Sequence, residues 1–152
     1  MPDLREESWD DDQPFEAPSR PLNGHAHHAP AADPVQAQWA RFRDKFAAAM
    51  TDGLWTVEDL EEKVLSHRAF FFPGVNAAMA AEIQIFPSGR QVFQVTWAVG
   101  EAAELIGMAP GVIALARTLG CHSVLVEGRP AWVRLLAPMG FEPFSMASLK
   151  EL

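Results

Sequence analysis

The 152-residue sequence predicts an α+β fold of the three-layer α/β kind, with a mixed central sheet flanked by helices and an N-terminal arm outside it. Three observations lead there. Apolar residues recur at helical spacing in residues 34–66, an apolar and then an alternating pattern fills residues 69–99, and residues 120–141 read as strand, turn, helix and return. At 49% hydrophobic the chain is large enough for one core-bearing domain and no more.

The arm comes first. Residues 1–33 hold eight acids against Arg5 and Arg20, net −6, which leaves −2 of the chain's −8 for the remainder. Six of the twelve prolines fall within the first 34 residues. Such a segment buries too little apolar surface to offset its ordering entropy, so residues 1–33 are expected to be disordered or extended when alone. They are either a solvated leader or a docking arm whose apolar anchors Leu4, Trp9 and Phe15 order on a partner. His25, His27 and His28 do not make up a closed four-ligand metal set, and no metal site is assigned.

The folded domain is expected over 34–152. Asp33 suits an N-cap and Pro34 a first helical position, with Trp39, Phe42 and Phe46 inward; this helix should end near Met50, before Thr51-Asp52-Gly53. Thr56-Val57-Glu58-Asp59 resembles a capping box and opens a second helix to about Ser66, with Val57, Leu60 and Val64 inward. The acids Glu58, Asp59, Glu61 and Glu62 then read as a solvated face favoured by the helix dipole.

Three strands follow. Residues 69–72, Ala-Phe-Phe-Phe, are apolar throughout and expected to be covered on both faces. Ala78 to Phe86 and Gln91 to Val99 flank the turn Pro87-Ser88-Gly89-Arg90 and should pair antiparallel. Residues 101–119 form a long helix with Leu105, Met108, Val112, Leu115 and Leu119 on one stripe, kinked or split at Pro110-Gly111. Ser123 to Val126 is a buried strand, Glu127-Gly128 a turn, Pro130 a helix start and Gly140 its stop. Phe144 to Leu149 is read as a closing strand.

Composition excludes several function classes. A net charge of −8 does not suit a nucleic-acid backbone. No apolar run approaches the roughly 20 residues that span a bilayer, and the acidic N-terminus lacks signal-peptide order. The single Cys121 fits a reducing compartment, so the cytoplasm of the producing cell is the expected location.

The order αα, βββ, α, β, α, β from Glu58 to Leu152 resembles the GNAT acyltransferase fold. Three motifs narrow the resemblance to the small GNAT-like proteins encoded by phages and prophages: Ala116-Arg117-Thr118-Leu119-Gly120-Cys121, Gly128-Arg129-Pro130-Ala131-Trp132-Val133-Arg134-Leu135, and Leu149-Lys150-Glu151-Leu152. That resemblance implies protein partners, including phage structural proteins, and a place in the virion as the alternative to the cytoplasm.

An active GNAT enzyme holds acetyl-CoA at an Arg/Gln-x-x-Gly-x-Gly/Ala loop opening the long helix. Here Val99, Gly100, Glu101 and Ala102 occupy that position; the leading basic or amide residue is missing, and Glu101 and Glu104 oppose a pyrophosphate. The tyrosine that many members use as proton donor corresponds to Leu136, and the asparagine often opening that helix corresponds to Arg129; the chain has no tyrosine at all. No catalytic residue is therefore assigned, and Glu82 and Glu127 are only candidates for a water-assisted base. Trp97, Arg129, Trp132 and Arg134 read either as architecture, with Trp132 under the sheet and Arg129 paired to Glu127, or as a contact patch, to which Trp9 and Phe15 add. Two functions result: a catalytically degenerate, partner-binding or virion-associated protein without cofactor, or an active acetyl-CoA-dependent N-acetyltransferase.

Overall fold

The computed structural model describes residues 33–145 and 147–152. Helix α1 spans Pro34–Ala49 and begins where the sequence places it: the Asp33 carboxylate accepts the Val35 N–H at 3.0 Å. Helix α2 spans Val57–Leu65, with Thr56 Oγ1 accepting the Asp59 N–H at 3.3 Å and donating to its carboxylate at 2.9 Å. Replacing Thr56 with Ala should cost about 1 kcal/mol, the usual value of such a cap, read as a lower urea midpoint at unchanged slope.

Strands β1 (Phe70–Pro73), β2 (Ala77–Ile85), β3 (Gln91–Gly100) and β4 (Ser123–Val126) form one sheet in the order β1-β2-β3-β4. The first two pairings are antiparallel and β3–β4 is parallel, linked by helix α3 (Ala102–Thr118). Such a parallel step requires a crossover, which α3 supplies. Helix α4 (Ala131–Leu136) continues as a 3-10 turn to Met139 and stops at Gly140, left-handed at φ 87°.

Two cores cover the sheet. Trp39, Phe42 and Phe46 of α1 and Leu60 and Val64 of α2 pack on Ala78, Ala80 and Val99. On the other face Leu105, Val112 and Ala116 of α3 pack on Met79, Phe93 and Val95. Residues 77–81, Ala-Ala-Met-Ala-Ala, are buried on both faces, so short side chains let helices approach closely from either side while aromatic rings fill the space between. The phenylalanines of β1 are half-buried and divide between the cores, Phe71 toward α1 and Phe70 and Phe72 toward Phe93.

Three expectations are corrected. The closing strand at Phe144–Leu149 is absent among the described residues: Pro143 cannot donate to a ladder, alanine and serine favour strands weakly, and Phe144 and Leu149 stand exposed. Of the two readings at Pro110-Gly111 the split does not occur: α3 is one helix with Pro110 on its exposed face, where the carbonyl left unpaired can reach water. Its stripe keeps Leu105 and Val112, with Met108 and Leu115 half-buried on the same core, and adds Ala109 and Ala116; Leu119, at the C-cap, is exposed. No helix among the described residues is long and apolar enough to cross a membrane.

Candidate functional site

Strands β3 and β4 pair only from Val92↔Ser123 to Val95↔Val126, closed by the Glu127 N–H donating to the Val95 carbonyl at 3.1 Å. Beyond that point β3 continues to Gly100 without β4, still paired with β2 as far as Ala77↔Gly100. Opposite, Ala80 faces Trp97 and Ala81 faces Val95, so Thr96 is an extra residue that bends the strand away. The resulting splay opens toward α3 and α4 as a cavity of about 30 Å³. Its wall includes Val95, Val126, Leu105, Trp132, Leu136 and Phe141, and carries no ionisable side chain. Leu136 is buried.

At the mouth of the splay, Gly100 has φ 97° and a Cβ there would strike the Asn76 carbonyl, so glycine is needed for both reasons. The chain turns at Glu101 into α3. Glu101 makes no side-chain cap, and its N–H donates to the Asn76 carbonyl at 3.2 Å. The carboxylate of Glu104, one turn on, accepts the N–H groups of Val75 at 2.5 Å and Asn76 at 2.9 Å. Sequence reasoning placed Glu104 against a phosphate and missed this use, because nothing local in the sequence links it to a loop 28 residues away.

The two candidate bases are both engaged. Glu82 forms an ion pair with Lys63 of α2 at 3.0 Å, and Glu127 accepts the Gln94 side-chain amide at 2.5 Å. Neither lines the cavity.

The structure does not bring the four Trp and Arg candidates into one patch. Trp97 packs with the α1–α2 core, edge to face with Trp55 at 6.3 Å, while Trp132 packs with the α3 core across the sheet. The bulge at Thr96 decides this, since one extra residue flips every later side chain of β3 to the other face. The Trp97 indole N–H is buried without a partner among the described residues. Trp132 lies under the sheet as its architectural reading requires, against Gly128, where a Cβ would come within 2.8 Å of its ring. Arg129 and Arg134 are exposed, and among the described residues the expected ion pair of Arg129 with Glu127 does not form. His122 Nδ1 accepts the Gln91 N–H at 3.1 Å, a strand-edge role, and His67 is left-handed at φ 58° after α2. Trp9, Phe15, Leu4 and the three clustered histidines lie outside the described residues. Among the described residues no three His, Cys, Asp or Glu side chains are grouped to hold a metal ion.

No family model matches the sequence, and no curated protein does either. Solved structures do. A Trypanosoma brucei acetyltransferase superposes with a TM-score of 0.57 at 10% identity, covering 77% of this chain and 94% of its own. Glucosamine-6-phosphate N-acetyltransferase from Arabidopsis thaliana gives 0.56 at 11%, over 77% and 92%. A predicted acetyltransferase from Clostridium acetobutylicum, solved with acetyl-CoA, gives 0.51 at 14%, over 76% and 86%. The fold is the GNAT fold. At these identities the likeness is one of fold, and function rests on the site.

The GNAT fold raises the question of acetyl-CoA. Val99 and Gly100 end β3, and Glu101 and Ala102 open α3, with the Glu101 N–H already given to the Asn76 carbonyl. Two carboxylates accompany them in that turn, and Glu104 already holds the neighbouring loop. The splay behind has a cavity of about 30 Å³ whose wall carries no ionisable side chain.

Proposed function

We propose that this chain is a GNAT-fold protein of the phage or prophage kind, without acyl-transfer chemistry, acting as a virion-associated or partner-binding component. The observation that carries the reading is Leu136 on the wall of an apolar cavity, at the position where the resemblance calls for a proton donor. The acids leading α3, and the engagement of Glu82 and Glu127 elsewhere, support it further. The phage attribution rests on the three motifs at 116–121, 128–135 and 149–152. The exposed Arg129 and Arg134, and the acidic 1–33 arm with Trp9 and Phe15, are the proposed contact elements.

Calorimetric titration with acetyl-CoA, and a thiol-release assay over a panel of amines, should both give no signal. Micromolar binding with turnover would overturn the reading in favour of an acetyl-CoA-dependent N-acetyltransferase. Deletion of residues 1–33 should reduce partner co-purification; unchanged recovery removes the arm from the contact.

A further inference from the structure

The β1–β2 loop, Gly74–Asn76, has its backbone polar groups taken up by three other elements. The N–H groups of Val75 and Asn76 converge on the Glu104 carboxylate. From the other side the Arg41 guanidinium donates to the Val75 carbonyl at 2.7 Å and the Gly74 carbonyl at 3.4 Å. The Asn76 carbonyl accepts from Glu101, and the Gly74 N–H donates to the Ala77 carbonyl at 2.7 Å. Two glycines shape the seat. A Cβ at Gly74 would land on a Glu104 carboxylate oxygen, and one at Gly100 on the Asn76 carbonyl. Converging N–H groups, an absent Cβ and a seated carboxylate together form a cradle for an oxyanion.

We propose that the Gly74–Asn76 loop is an oxyanion receptor, which the chain fills with its own Glu104. A carboxylate or phosphate from outside enters by displacing Glu104, and Arg41 keeps the loop in its receiving shape. The inference goes beyond the loss of acyl transfer. Its test uses no acetyl-CoA, so either idea can fail without the other.

The test follows amide exchange at Val75 and Asn76 in the full chain. In Glu104→Ala both amides should exchange about tenfold faster than in the unsubstituted protein. Acetate or inorganic phosphate at tens of millimolar should slow them again, while chloride at equal ionic strength does not. Slowing by acetate alone marks a carboxylate receptor, by phosphate alone a phosphate receptor, and by both a general one. In Gly74→Ala the same amides should exchange fast with no recovery in either anion, because the methyl group fills the seat. Unchanged exchange in Glu104→Ala, or fast exchange that neither anion slows, would mean that Glu104 is only a strut and would overturn the proposal. Recovery in Gly74→Ala would overturn it too. Should Glu104→Ala fail to fold, Glu104→Ser, whose side chain is too short to reach the loop, also empties the seat and is read in the same way.

Discussion

Phe93→Ala should bring the protein close to unfolding, with a loss of about 3–5 kcal/mol, the range for emptying a buried aromatic site. Phe93 is 0% exposed on central strand β3, and it gathers the rings of Phe70 at 5.2 Å and Phe72 at 6.2 Å. Those two contacts are the main tie of β1 to the α3 face, so their loss adds to the cavity term. The neighbours cannot close the hole cheaply. Ala77 and Ala81 are too short, and Phe93 is also held in register between Ile83 and Val124. Set against a total stability of about 5–15 kcal/mol, such a loss should appear as a large drop in the urea midpoint. Ile85→Ala supplies the control: Ile85 is 70% exposed at the end of β2, and its replacement should stay within about 0.5 kcal/mol. Equal shifts for the two variants would show that Phe93 is not central to the core.

Much of this architecture was legible because the signals were local. Asp33-Pro34 and Thr56-x-x-Asp59 specify helix starts through hydrogen bonds two or three residues long, and both form as read. Ser123–Val126 and the stop at Gly140 were placed by the same means, although the strand is half-buried along its length and not buried as read, because it lies at the edge of the sheet. What escaped was whatever depended on tertiary distance. The stripe of α3 kept its larger residues but also took in Ala109 and Ala116, because closeness to the sheet, rather than side-chain size, decides which helix positions are buried. Phe144–Leu149 offered apolar residues but no second face to bury, and sequence could not weigh that. The bulge at Thr96 is invisible in a period of two, yet it sends Trp97 to one side of the sheet and leaves Trp132 on the other.

The site was legible in part. The resemblance sets Leu136 where many members carry a proton donor, and the structure puts that side chain on the wall of the apolar cavity. The opposing charge of Glu104 could be read too, but its hydrogen bonds to Val75 and Asn76 could not, since they join β1–β2 to α3 across 28 and 29 residues.

Glu61 was likewise read as part of a solvated acidic face, and the structure makes it the seam of α1 and α2. Its carboxylate accepts the Trp39 indole N–H at 2.6 Å and the Arg43 guanidinium N–H at 2.9 Å. Trp39 is buried, so without Glu61 its N–H has no other acceptor at hand. Glu61→Gln leaves the indole a neutral acceptor but removes the charge it shares with Arg43, and should cost about 1 kcal/mol near neutral pH, the difference between a charged and a neutral hydrogen bond. Combined with Trp39→Phe, it should show a coupling of about 1 kcal/mol in a double-mutant cycle, and additive losses would refute the seam. The pH dependence carries the same signature. The Trp39 hydrogen bond, aided by Arg43, holds the Glu61 carboxyl below its ordinary value of 4.5, although partial burial opposes the shift. A carboxylate whose folded value is depressed contributes stability that is fully present above the unfolded value and is lost as pH falls through the folded one. The unsubstituted protein should thus lose its advantage over Glu61→Gln as pH drops from 6 through 4.5 and below, and the two urea midpoints should converge there. A gap that stays constant across that range would mean the Glu61 charge plays no part in holding α1 to α2.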